Sequence, residues 1–263
     1  MSIYKRVAEI EDKGESAALC TITQATGSTP RRAGSKMLVF PDGSIEGTIG
    51  GGEMESLVVR EAQAAMEDGK MRLVEYSLTD PQRGDPGVCG GQLEVYVEPL
   101  TPRPTVIVVG AGHVGKAVAH LAKWLGFHVV INDDRKEFAA EKNAPRADEY
   151  ITGQLSELPD EYRVTSQCYI ILTTRNMQVD VAGLPALLQT PAAYIGVIGS
   201  RRRWESTHKM LLEQGIAEED LARVVSPMGL ELNAETPEEI AVSILAEVLM
   251  LRGGGSGQRM GHK

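Results

Sequence analysis

The chain has 263 residues, 42% of them hydrophobic and 24% charged, enough to bury a sizeable core in one or two globular domains. Its formal charge of −9 argues against generic nucleic-acid binding, which needs a basic face, and no apolar run reaches the roughly 18 residues of a membrane span. Cys20, Cys89 and Cys168 are an odd, sparse set rather than a disulfide scaffold, and no signal-peptide pattern opens the chain, so a reducing cytoplasm is the expected compartment.

An amphipathic start leads into residues 15–23, ESAALCTIT, which read as a buried strand. The loop TGSTPRRAGSKM follows, with Arg31 and Arg32 bracketed by glycines. Residues 35–40 and 44–50 flank the turn signal PDG and predict a hairpin. Gly50, Gly51 and Gly52 then precede a helix over 53–68, where apolar residues recur at helical spacing until Gly69 stops it. Residues 71–78 predict a strand. The loop RGDPGVCGG, carrying Cys89, Gly90 and Gly91, leads into QLEVYVEP, whose strict alternation puts Leu93, Val95 and Val97 on one face. Pro99, Pro102 and Pro104 mark a linker, and we expect a boundary near residue 102.

Beyond the linker the pattern changes. TVIVVG is apolar throughout, as befits a parallel strand buried on both faces. A helix over 113–126, a strand HVVINDD, and further strands CYIILTT and AAYIGVIGS give a strand–helix alternation. The last helix is well signalled: Thr236 is its N-cap, Pro237 its first residue and Glu239 completes a capping box. The glycine-rich end, 253–263, reads as a flexible tail. The expected fold is α/β: a small N-terminal α/β domain, residues 1–102, followed by a Rossmann-like doubly wound parallel sheet, residues 103–252.

Several stretches carry chemistry. Gly110, Gly112 and Gly115 form G-x-G-x-x-G between a strand and a helix, and Asp133 ends the next strand. That context fits a dinucleotide fingerprint, with His113 facing any bound cofactor and Asp133 placed for ribose hydroxyls. Arg135 stands where it would meet a 2′-phosphate, so NAD and NADP are not separable at this level. The Gly50–Gly52 run reads equally as an anion-binding nest or as a tight turn whose Glu53 and Glu55 complement the helix dipole. Arg31 and Arg32 suit phosphate or carboxylate, or are simply solvated. Ser200 and Arg201, heading IGSRRRW, follow a predicted strand at the end where α/β sheets collect ligands. Cys89 is a candidate thiolate and a tentative metal ligand, whereas Cys20 and Cys168 read as small buried apolar residues. No H-E-x-x-H, C-x-x-C or G-x-S-x-G occurs, which excludes the common zinc and serine-hydrolase signatures.

Taken together, TGSTPRRAGSKMLV, GTIGGG, VCGGQLEVYVEP, VVGAGHVGKAVAHLAKWLGFHVVINDDR, YIGVIGSRRR and SPMGLELNAETPEEIAVSILAE resemble the XdhC/CoxI family of xanthine dehydrogenase accessory proteins over nearly the whole chain. The resemblance implies a chaperone that binds the molybdenum cofactor (molybdopterin) and assists its sulfuration and insertion. Its expected partners are a xanthine dehydrogenase-type molybdenum hydroxylase and a cysteine desulfurase, and it is expected to act as a homodimer rather than as an enzyme. Cofactor contacts are expected at Arg31, Arg32, the Gly50–Gly52 loop and Cys89. The chain departs from the family in two places: Glu53 stands where the family often has cysteine in G-G-G-C-x-E, while Glu55 matches, and TTRNMQVD keeps Asp180 but is looser than the family pattern around it. An NAD(P)-dependent oxidoreductase or a dinucleotide-sensing regulator is the competing reading.

Overall fold

The computed structural model describes residues 2–78 and 90–261. The chain forms two compact units, Met1–Pro102 and Arg103–Lys263.

The first unit is built on an antiparallel sheet of five strands. β1 (Ala17–Thr26), β2 (Lys36–Val39), β3 (Ile45–Gly47), β4 (Arg72–Ser77) and β5 (Gln92–Leu100) lie in the order β3-β2-β1-β5-β4. The hairpin read from PDG forms with Val39 opposite Ile45. Helix α1 spans Ile3–Asp12 and helix α2 spans Gly52–Asp68. The alternation in β5 decides which side α2 covers: Leu93, Val95 and Val97 are buried beside Met54, Val58, Ala62 and Ala65 of α2. α1 packs its Ile10 against the opposite face, with Ala17 and Leu38. α2 ends at Gly69, whose left-handed φ of 68° lets its amide bond to the Ala65 carbonyl.

The second unit contains a six-stranded parallel sheet. β6 (Thr105–Val109), β7 (His128–Asp133), β8 (Glu149–Thr152), β9 (Cys168–Leu172), β10 (Tyr194–Val197) and β11 (Val224–Val225) are arranged β11-β10-β9-β6-β7-β8. Counted from β6, this is the 3-2-1-4-5-6 order of a dinucleotide-binding fold. Every residue of β6, β9 and β10 is buried, because helices cover both faces. α3 (His113–Trp124) and α8 (Pro237–Gly253) take the side to which Val106, Val108, Ile131 and Tyr169 point. α5 (Met177–Leu188) and α6 (Arg201–Glu213), with the short α4 (Leu158–Glu161) and α7 (Glu218–Leu221), take the side of Ile107, Val109, Ile170 and Val197. Thr236 and Glu239 form the expected capping box at the start of α8. Among the described residues no helix is long and apolar enough to cross a membrane.

Candidate functional site

In the first unit, one loop singled out by sequence, the one carrying Arg31 and Arg32, packs against two others. A Cβ on Gly50 would lie 2.6 Å from Cγ of Pro30, and one on Gly91 would lie 2.4 Å from the Ser28 carbonyl oxygen. A Cβ on Gly27 would stand 3.0 Å from the Gly90 carbonyl. The triple-glycine loop and the Gly90–Gly91 turn thus each meet the loop of Arg31 and Arg32. At Gly91 a Cβ would strike backbone carbonyls, at Gly50 it would strike the Pro30 ring, and Gly27 and Gly50 also hold positive φ, so each position favours glycine.

Arg31 and Arg32 are exposed and have no ionic partner among the described residues. Glu55 points back into the triple-glycine loop. Its Oε2 accepts from Oγ1 of Thr48 at 2.7 Å and from the amides of Ile49 and Gly51 at 3.1 Å each. The Gly50 amide is taken by Oγ1 of Thr48. An anion would therefore find these amides engaged, and Glu55 acts as the brace of the loop. Glu53 is exposed in the first turn of α2, beside the open Gly51 and Gly52. Cys89 lies outside the described residues, next to Gly90. Cys20 and Cys168 are buried, and burial pushes the Cys20 thiol up to about 12 and raises that of Cys168. Neither supplies thiolate at neutral pH. Among the described residues no three His, Cys, Asp or Glu side chains converge as a metal site would need.

In the second unit a cleft of about 310 Å³ opens at the carboxyl ends of β6, β7 and β9, where strand order reverses and α/β sheets bind ligands. The three fingerprint glycines have different reasons to be glycine. Gly110 has φ +90° and its Cβ would meet the Thr173 carbonyl at 2.8 Å. A Cβ on Gly115 would be 2.1 Å from the Gly110 carbonyl, so α3 could not approach β6. Gly112, the N-cap of α3, has φ −72° and nothing within 4 Å of where its Cβ would be. The fold needs the first and third, whereas at the second no neighbouring atom requires the side chain to be missing.

Asp133 is buried and saturated. Its Oδ2 accepts from the Ala111 amide at 2.9 Å, tying β7 to the glycine loop. The Arg135 guanidinium binds it bidentately, Nε to Oδ1 at 2.8 Å and Nη2 to Oδ2 at 2.9 Å. Arg135 also stacks on Phe138, with Cζ 3.5 Å from the ring centroid. At the rim, Arg175 grips Asp134 through two bonds of 2.7 Å, and this bonding holds the Asp134 carboxyl down at about 2. His113 is exposed and borders both this cleft and a second of about 480 Å³ along α3, which His120 also lines.

Sequence reasoning points to Ser200 and Arg201, and the structure gives them different parts. Ser200 caps α6 by accepting from the Arg203 amide, and Arg201 is exposed. The arginine of that run with a buried partner is Arg203, whose Nη2 donates to Oδ2 of Asp180 at 2.5 Å and to Oγ1 of Thr174 at 3.0 Å. Asp180 is fully buried, also accepts from Thr174, and has its pKa raised by that burial. The pairs Asp134–Arg175 and Asp180–Arg203 leave no signal in the sequence, since their members lie 41 and 23 residues apart; only sheet order brings them together.

A Rossmann unit with an open cleft at the carboxyl ends of its strands, joined in one chain to an antiparallel-sheet unit with glycine-rich loops, defines the class. A family model described as the XdhC Rossmann domain matches residues 106–248, and one described as the XdhC and CoxI family matches residues 10–77. The chain belongs to the XdhC and CoxI family.

It is 33% identical to the uncharacterized protein YqeB of Escherichia coli (strain K12), over 99% of this chain and 48% of that protein, so it spans about half of that relative's length. It is 25% identical to a probable xanthine dehydrogenase subunit of Bacillus subtilis (strain 168), over 93% of this chain and 96% of that one. It is 23% identical to the molybdenum cofactor insertion chaperone PaoD of Escherichia coli (strain K12), over 95% and 88%. A crystal structure described as a xanthine dehydrogenase from Bacillus halodurans shares the fold, with a TM-score of 0.52 and 21% identity over 100% of this chain and 98% of that one.

Proposed function

We propose that this protein is an accessory factor for a xanthine dehydrogenase-type molybdenum hydroxylase, and that it holds the molybdenum cofactor as cargo during sulfuration and insertion. The observation that carries the reading is the packing of the Arg31–Arg32 loop against the triple-glycine loop and the Gly90–Gly91 turn in the first unit. Around that meeting point stand Arg31 and Arg32, exposed and without ionic partners among the described residues. The cofactor is an anionic pterin with a phosphate and a soft dithiolene. Arginine forks suit the phosphate, backbone free of side chains permits close approach, and a thiolate suits the molybdenum–sulfur end. With Glu53 in place of the family cysteine, thiol chemistry in this unit rests on Cys89. In this reading the protein works as a cytoplasmic homodimer, and a cysteine desulfurase supplies the sulfur.

The test is to mix purified protein with molybdenum cofactor, follow retention of the cofactor, and follow activation of a cofactor-free hydroxylase. Replacing Arg31 and Arg32 together by alanine is expected to weaken retention by roughly tenfold or more at low salt, in keeping with lost charge-assisted contacts. Cys89→Ser is expected to retain the cofactor but to fail in protecting its sulfurated form. Retention and protection equal to wild type in both variants would remove the reading.

A further inference from the structure

We propose that the Rossmann cleft binds an adenine nucleotide carrying a 2′-phosphate, and that it prefers the NADP class over the NAD class. This concerns the second unit and does not depend on the molybdenum cofactor reading. Three observations carry it.

The first is that the cleft is built for a ligand at Gly112. Any L-residue tolerates a φ of −72°, and no atom stands within 4 Å of the absent Cβ. The contrast with Gly110 and Gly115, which the fold itself requires, makes Gly112 the position where backbone is bared to the cavity.

The second is the state of Asp133. A carboxylate at the end of this strand recognises NAD by accepting from ribose hydroxyls. Here both of its oxygens are already engaged, by the Ala111 amide and by two guanidinium nitrogens of Arg135. A ribose 2′-hydroxyl would have to displace a buried bidentate ion pair to gain one neutral hydrogen bond, which is an unfavourable exchange.

The third is what Arg135 offers instead. Asp133 on one side and the Phe138 ring beneath fix the guanidinium at the ribose end of the cleft. Its Nη1 has no hydrogen bond to any described residue and is free for a phosphate oxygen. The charge balance permits this. The other carboxylate lining the cleft, Asp134, is neutralised by Arg175, so the two acids and two guanidinium groups cancel.

The experiment is isothermal titration of the intact protein with NADP⁺, NAD⁺ and adenosine 2′,5′-bisphosphate, alongside thermal shift. NADP⁺ is expected to bind roughly tenfold or more tightly than NAD⁺, and the bisphosphate to compete with it. Arg135→Ala removes the phosphate partner and releases Asp133, so the preference should fall to parity or reverse toward NAD⁺. Gly112→Ala should keep the wild-type melting temperature, because its Cβ meets nothing, yet lose roughly tenfold or more in affinity for NADP⁺. That separation of binding from folding is what a merely structural glycine would not give. Equal or tighter binding of NAD⁺ by wild type overturns the proposal, as does Gly112→Ala with unchanged affinity, or no saturable binding of any of the three. If Arg135→Ala does not fold, the wild-type ratio and Gly112→Ala still decide.

Discussion

At the scale of single residues, the charged groups of the second unit are held in pairs whose worth depends on their exposure. Arg203 on Asp180 is buried on its acidic side, whereas Arg175 on Asp134 is a rim pair, with side chains 46% and 23% exposed. Bonding from Arg175 holds the Asp134 carboxyl at about 2, below the ordinary aspartate value of about 3.9 in an unfolded chain. A carboxyl whose folded pKa is depressed stabilises the fold above its unfolded pKa and loses that contribution as pH falls through the folded value. The window is therefore between about pH 4 and about pH 2. Solvent screening limits the pair to about 1 kcal/mol or less. Asp134→Asn is thus expected to lose about 0.5–1 kcal/mol at pH 7, less in 1 M salt, and to match wild type near pH 2. Urea unfolding at a series of pH values measures this. A difference that persists undiminished at pH 2 would mean that the carboxylate charge is not what stabilises the loop.

At the scale of elements, the interiors of helices and strands explain why some parts are legible in the sequence and others are not. β6 and β9 are evident because burial on both faces leaves an unbroken apolar run. α2 and α8 are evident because a glycine or a capping box punctuates them. β8 has four residues, none of them buried, and β11 has only two, so neither has a run to read. α5 is apolar around most of its surface because the 3₁₀ turn Leu155–Glu157, α4 and the sheet enclose it, which erases the helical period.

Gly183 in α5 makes the packing measurable. Alanine is ordinarily preferred to glycine inside a helix by about 1 kcal/mol. Here its Cβ would stand 2.2 Å from Cγ and 2.5 Å from Cβ of Leu155, too near the backbone of that residue for a rotamer change to relieve. Overpacking of this kind costs about 1–3 kcal/mol. The sign therefore reverses: Gly183→Ala should destabilise by about 1–2 kcal/mol, and combining it with Leu155→Ala should recover part of the loss, which a double-mutant cycle reads directly. A stabilised Gly183→Ala would mean that α5 lies farther from the Leu155 turn.

At the scale of the whole molecule, each unit buries its own apolar residues. The two clusters around the parallel sheet draw only on residues 106–249, and the two clusters of the first unit only on residues 3–100. The candidate sites divide in the same way. The converging loops lie within residues 27–91, and the cleft is lined wholly by Val109 through Val179. This division also explains what the sequence discloses of the sites. The glycine fingerprint is local spacing within one strand–helix turn and can be read directly. The inward role of Glu55, the saturation of Asp133 and the Asp134–Arg175 clasp depend on how loops fold back, and residue order alone does not encode that.

A core that is complete within one unit should survive separation from the other. Residues 103–263 expressed alone are expected to unfold in one cooperative urea transition and to bind NADP⁺ with an affinity within roughly threefold of the intact chain, well under the tenfold that 1.4 kcal/mol represents. Near-UV circular dichroism reports whether the aromatic side chains of this unit, among them Tyr169 packed edge to face on Phe127 at 6.0 Å, are held in fixed surroundings. A fragment that lacks this signal, or unfolds without cooperativity, would show that the parallel sheet requires the first unit to be stable. A folded fragment that has lost the nucleotide would show that the first unit contributes to the cleft.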